Sequence, residues 1–190
     1  MNTELVNIIK GCQKGNYTCQ KKLYDSYASL MYAICLRYLK NHDDASDCLQ
    51  DAFVIVYDKI KDYQTIGKDE ELKKTFVGWL KRIQINVCLM FIRKQKKNYF
   101  IERFEDERFD IEDEQEEEGF FDVSPQKLFD LITKLPDGYR MVLNMYILDG
   151  YSHQEIADLL SISVGTSKSQ LARAKKILKD KILIVLNESR

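Results

Sequence analysis

Apolar residues along this chain recur every three or four positions, and no convincing alternation of period two survives beside that rhythm. In "HDDASDCLQDAFVIVYDKI", residues 42–60, Ala45, Cys48, Leu49, Ala52, Phe53, Val56 and Ile60 follow i, i+3, i+4, i+7 spacing. That spacing stacks them along one face of a helix and leaves Asp47, Gln50, Asp51 and Asp58 on the other. An earlier run, 23–39, offers Leu23, Tyr27, Leu30, Met31, Ile34 and Cys35 as inward positions. A third, "TFVGWLKRIQINVCLMFIRKQKK", aligns Phe76, Leu80, Ile83, Val87 and Met90, with basic last turns; Trp79 beside them is open between DNA contact and core burial, which its spacing favours. The fold class expected is all-α.

Periodicity is lost over 98–124 and returns sharply afterwards. Ser124-Pro125 reads as an N-cap followed by proline at the first helical position, where a missing N–H is harmless. Pro136 opens another helix, and Asp149-Gly150 closes it with the residue that best tolerates a left-handed cap. Ser152 and Glu155 have capping-box spacing for "HQEIADLL", and Ser163 caps the next helix after only Ser161 and Ile162. Ile156, Leu159, Leu160, Ile162, Leu171, Ala174 and Leu178 can pack these two helices together, leaving Thr166, Lys168, Ser169, Gln170 and Arg173 outward. The arrangement is a helix-turn-helix whose second helix suits a DNA major groove. The pattern divides the chain into helical domains at 1–97 and 125–190, joined by a solvated linker, 98–124.

Charge sharpens that division. The formal net charge is only −1, yet 72–101 carries eight lysines and arginines and no acid. The next stretch, "ERFEDERFDIEDEQEEE" at 102–118, sets eleven acids against Arg103 and Arg108. A second basic cluster follows at Lys168, Arg173, Lys175, Lys176, Lys179 and Lys181, and 165–179 contains no acid. A helix face chosen only for solubility would mix Glu with Lys. Hydroxyls and an amide suit base edges, while Lys and Arg suit phosphates, so this face points to DNA.

Other chemistry finds little material. The five cysteines (Cys12, Cys19, Cys35, Cys48 and Cys88) form no CxxC pair and read as buried free thiols; with only His42 and His153 to help, no metal site is expected. There is no Gly-rich phosphate loop, no HExxH and no Ser/His/Asp or Cys/His set, so neither an enzyme nor a cofactor is expected. No run approaches about 18 uninterrupted apolar residues. The N-terminus lacks the layout of a signal peptide, so the expectation is a cytoplasmic protein without stable membrane insertion. An all-α adaptor using its acidic run would leave both basic helices unexplained. A stand-alone helix-turn-helix regulator that binds duplex DNA as a dimer stays open on these grounds.

"LPDGYRMVLNMYILDGYSHQEIADLLSISVGTSKSQLARAKKIL" closely resembles region four of the extracytoplasmic-function (ECF) sigma factors of bacterial RNA polymerase, within the sigma-70 family. "HDDASDCLQDAFVIVYDKI" and "FVGWLKRIQINVCLMFIRKQKK" resemble region two of that family, in matching order and separation. The resemblance spans about 20–97 and 125–182 and leaves the linker and the first turns unmatched. It implies a sigma initiation factor that binds core RNA polymerase and directs it to promoters. In the family, the polar face of the first region-two helix docks on the β′ clamp helices, which implies that role for Asp47, Gln50 and Asp51. The next helix holds open the non-template strand of the minus-ten element, which implies strand contacts by Lys81, Arg82, Asn86, Arg93 and Lys94. Region four reads the minus-thirty-five duplex and touches the β flap, which implies Thr166, Lys168, Ser169, Gln170 and Arg173. An anti-sigma factor is a further implied partner. The loop 61–75, which in the family captures an unstacked base, matches poorly. Val164 and Ser167 stand where the family commonly has acidic and aliphatic residues.

Overall fold

A computed structural model describes residues 3–65, 67, 70–95 and 123–188. The chain splits into two compact units, Met1–Gln95 and Lys96–Arg190. All regular structure among the described residues is helical. The acidic run 102–118, on which the expected linker centres, lies outside the described residues.

The first unit contains α1 (Thr3–Gln13), α2 (Tyr17–Leu39), α3 (His42–Lys59), a 3-10 turn (Ile60–Asp62) and α4 (Glu70–Gln95). Asn16 caps α2 by accepting from the Cys19 N–H at 3.0 Å, and Asn41 caps α3 by accepting from the Asp43 N–H at 2.9 Å. Between them Lys40 takes a left-handed conformation, φ 63°, and its N–H closes on the Leu36 carbonyl. The α3 stripe from Ala45 to Ile60 is buried in full, as its spacing predicts.

The longest helix, α4, packs against both α2 and α3 and therefore buries more than one stripe: Phe76, Leu80, Ile83, Gln84, Ile85, Val87, Cys88 and Leu89 all face inward. Two expected core residues do not. Met90 is 64% exposed, with Leu89 in the core instead, and Leu30 is 37% exposed while Tyr38, further along α2, is fully buried. Trp79 is half-buried within an aromatic cluster, its ring centroid 4.9 Å from Tyr63 and 5.6 Å from Phe76, with Tyr27 edge-on to Phe76 at 5.7 Å. Such ring pairs are each worth about 0.5–1.5 kcal/mol beyond their area. The Gln13 side-chain amide donates to the Tyr63 carbonyl at 2.9 Å, tying α1 to the exit of the 3-10 turn. By length and composition α4 could cross a membrane; in this fold α2 and α3 pack against it.

All five cysteines are free thiols. Cys88 lies in hydrogen-bonding contact with Cys35 and Cys48 between α2, α3 and α4. Its hydrogen bonding and burial hold the Cys48 thiol well above the usual thiol range, and burial, then Cys19, pushes Cys12 up to about 11. Cys12, Cys48 and Cys88 are packed, protonated groups rather than nucleophiles, and Cys19 is half-buried.

The second unit contains α5 (Pro125–Thr133), α6 (Asp137–Leu143), one π turn continuing it (Asn144–Leu148), α7 (His153–Leu160) and α8 (Val164–Glu188). Helix α8 is its spine, with α5, α6 and α7 all packed upon it. In the π turn the Asp149 N–H reaches back five residues to the Asn144 carbonyl, at 3.0 Å. Gly150 then takes φ 76°, a conformation that costs glycine least. The capping box forms as its spacing predicts: the Ser152 N–H donates to Glu155 Oε2 at 2.8 Å, and the Glu155 N–H to Ser152 Oγ at 3.2 Å. The turn into α8 is made by Ser161 in the left-handed region, φ 56°, with the Ile162 N–H on the Ala157 carbonyl at 3.0 Å. Ser163 Oγ accepts from the Thr166 N–H at 2.9 Å and starts the second helix.

Candidate nucleic-acid interface

On the first unit, α3 and α4 enclose an open groove of about 540 Å³ lined by Asp47, Gln50, Asp51, Phe91, Lys94 and Gln95. All three polar residues singled out on α3 therefore share one wall, and all three are exposed. The buried stripe on the far side of α3 fixes this outward direction: Asp47 and Gln50 lie two steps, about 200°, from Ala45 and Cys48, and Asp51 lies one step, about 100°, from Ala52.

The five residues expected to meet an open strand divide among three directions. Arg82, Asn86 and Arg93 are exposed. At about 100° per residue, Asn86 lies about 40° and Arg93 about 20° from Arg82 around α4, so the three form one stripe. The exposed Met90 falls on the same stripe. Lys81 is half-buried on the flank. Lys94 turns the other way, into the groove beside Asp47 and Asp51.

On the second unit, the outward face of α8 carries Lys168, exposed, with Thr166, Ser169 and Arg173 half-buried around it. The hydroxyls are locally oriented: Thr166 Oγ1 pairs with Ser163 Oγ at 2.8 Å, and Ser169 Oγ donates to the Thr166 carbonyl at 3.0 Å. Each retains lone pairs toward solvent. Gln170 corrects the expectation. It is only 4% exposed, and its Oε1 is buried without a hydrogen-bond partner. The reason is helical phase: Gln170 sits four residues before Ala174 and three after Ser167, both fully buried, so it faces the core.

The residue that sequence reasoning missed is Ser167. It is fully buried and its Oγ lies 2.9 Å from Nδ1 of His153, the first residue of α7. The His153 ring stacks on Tyr146, centroids 4.4 Å apart and planes at 22°. Burial, then the Lys168 charge, lowers its pKa from the usual imidazole value. The signal was available as a serine in an inward, otherwise aliphatic position fourteen residues after a histidine.

The fold is that of two helical units, one presenting an acidic groove beside a basic stripe and the other a helix-turn-helix with a basic outer face. Known proteins combine these same parts. Residues 23–98 match the family model described as Sigma-70 region 2, and residues 126–178 match Sigma-70, region 4. The ECF RNA polymerase sigma factor SigW of Bacillus subtilis (strain 168) is 29% identical over 183 residues, covering 92% of this chain and 94% of that protein. The ECF RNA polymerase sigma-E factor of Haemophilus influenzae is 24% identical over 184 residues, covering 92% and 93%. Among solved structures, the sigma factor RpoE in its complex with the anti-sigma factor NepR from Bartonella quintana shares the fold, with TM-score 0.50 at 19% identity over 87% of this chain and 96% of that one. The chain belongs to the sigma-70 family of RNA polymerase sigma factors, in its ECF group. It directs RNA polymerase to promoters, and sigma factors as a family are non-catalytic initiation factors.

Proposed function

We propose that the α3 wall of the groove, Asp47, Gln50 and Asp51, docks on the β′ clamp helices of core polymerase. Three exposed polar groups on one face, backed by a fully buried stripe, make a rigid surface that can be desolvated without repacking the core. Arg82, Asn86 and Arg93 then line the path of the unpaired minus-ten strand, with Lys81 flanking it and Lys94 at the junction of strand and docking groove. Phosphate neutralisation by cations favours holding a strand open, and the affinity it supplies falls steeply with salt. In the second unit α8 enters the minus-thirty-five duplex, with Lys168 and Arg173 on phosphates or guanine edges and Thr166 and Ser169 within reach of bases. The β flap contacts this unit.

The observation that carries this reading is the pairing of an acidic groove and a basic stripe on one unit with a basic helix-turn-helix face on the other. The chain acts in the cytoplasm, where polymerase and promoter DNA meet. An anti-sigma factor of the kind seen bound to the Bartonella protein is its proposed regulator. Transcription reconstituted from core polymerase, this protein and a promoter library tests the reading. Specific initiation should appear only with core present. Tight, two-fold symmetric binding to duplex DNA by the protein alone would overturn it in favour of a dimeric regulator.

A further inference from the structure

A helix-turn-helix reads a base sequence only if its second helix is held at one rotation on the first. A slip of a single residue step turns the outward face by about 100°. Apolar packing resists such slips in proportion to the surface it buries, and it has little directional preference of its own. The inward face at the start of α8 is weak in this respect: it consists of Ser167, Gln170, Leu171 and Ala174. Two of those four are polar, and a third is only a methyl group.

The face also carries a directional contact between the helices. Ser167 Oγ, fully buried, meets His153 Nδ1 at 2.9 Å. The histidine is itself fixed. Its backbone starts α7 next to the reciprocal capping box of Ser152 and Glu155, and its ring lies flat on Tyr146. Ser167 is bracketed in sequence by Thr166 and Lys168, two of the groups on the outward face, so holding one serine sets the direction of both neighbours. Burial favours the neutral ring, whose Nδ1 can accept from the serine hydroxyl or donate to it according to tautomer.

We propose that His153 is a positioning residue for reading the minus-thirty-five element: through Ser167 it locks the rotation of α8 on α7 and so aims Thr166, Lys168 and Arg173. This rests on the reading that α8 enters that element. Neither His153 nor Ser167 needs to touch DNA.

The test uses the full chain with core polymerase on two promoters that share a minus-ten element, one with an intact and one with a scrambled minus-thirty-five element. The measured quantity is the ratio of initiation between them. His153→Leu and Ser167→Val should each lower that ratio about five-fold, the factor one neutral hydrogen bond is worth. The double variant should lose no more than either single one, because both remove the same contact. His153→Gln, which keeps a hydrogen-bonding group, should recover part of the ratio, and minus-ten opening and core binding should not change. Thermal melts establish that each variant is folded at the assay temperature, and Ser167→Ala serves if the valine does not fit. Arg173→Ala is the control for the underlying reading. If Arg173→Ala loses discrimination while folded His153→Leu and Ser167→Ala keep it in full, the brace has no positioning role. If Arg173→Ala also leaves the ratio intact, the placement of α8 in the element fails, and the inference with it.

Discussion

Replacing Gln170 by methionine separates two accounts of α8 in a single variant. In the structure Gln170 is 4% exposed and its Oε1 is buried without a partner. An orphaned buried acceptor costs about 1–3 kcal/mol relative to a solvated one. Methionine has nearly the same length and flexibility and carries no group that must be desolvated, so the swap conserves volume. It should therefore stabilise the second unit by about 1–3 kcal/mol. For a unit of this size each kilocalorie raises the melting temperature by about 4–8 °C. The protein's one tryptophan, Trp79, belongs to the first unit, so its fluorescence does not report this change. Amide hydrogen exchange along 167–174 does, and protection there should rise. Discrimination between intact and scrambled minus-thirty-five elements should meanwhile stay at the wild-type level. A glutamine that contacted a base would behave in the opposite way, with unchanged protection and a loss of about 1–3 kcal/mol in discrimination. That second outcome would refute the burial argument.

Charge reversal at Asp47 and Asp51 should abolish co-purification with core polymerase while changing stability by no more than about 0.5 kcal/mol, because both side chains are exposed; a variant that still co-purifies removes the groove from the docking surface. Phe76→Ala, at a fully buried ring between Tyr27, Tyr63 and Trp79, should cost about 3–5 kcal/mol in urea titrations followed by Trp79 fluorescence, and a loss below about 1 kcal/mol would contradict the packing described. His153 has a folded pKa below its ordinary value, from burial and then Lys168, so the unfolded chain takes up the proton first. Stability of the second unit should be full above about pH 6.5 and fall as the pH drops through that value toward the lower folded pKa, and His153→Gln, compared by hydrogen exchange across pH, should remove that part of the slope.

Where one helix face is buried, the amphipathic pattern and the fold agree. The α3 stripe, the capping box at Ser152 and the Ser163 cap all fall where spacing puts them, because each depends on local geometry alone. Departures come where tertiary context decides. Helix α4 lies against two neighbours, so its buried residues span both sides of any single stripe: periodicity puts Met90 in the core, and the fold buries Leu89 instead. Leu30 looks inward by hydrophobicity, but the phase of α2 leaves it partly in solvent. Helix α1 went unpredicted although Leu5, Ile9 and Cys12, at i, i+4 and i+7, are all buried. Polar side chains mislead in the other direction. The chemistry of Gln170 suggests an outward side chain, whereas its spacing from Ala174 and Ser167 puts it inside, and the His153–Ser167 contact joins two helices that no periodicity relates. The exposed polar face of α3 is legible because acids and a glutamine lie opposite an unbroken apolar stripe. That Lys94 turns into the same groove depends on the crossing of α3 and α4, which spacing along either helix does not encode.

The π turn at Asn144–Leu148 has a consequence for how this chain compares with its relatives. A π turn is an α-helix that has absorbed one additional residue, its hydrogen bonds reaching back five positions instead of four. A protein with one residue fewer in this segment could keep the helix unbroken by returning to α geometry. Because a π turn spends one residue more than an α turn on the same rotation, everything after the deletion would keep its direction, and the change would fall within the turn itself. A one-residue gap in this segment, which in an unbroken helix would turn everything after it by about 100°, would here be absorbed where the π turn stands and leave the helix-turn-helix in register.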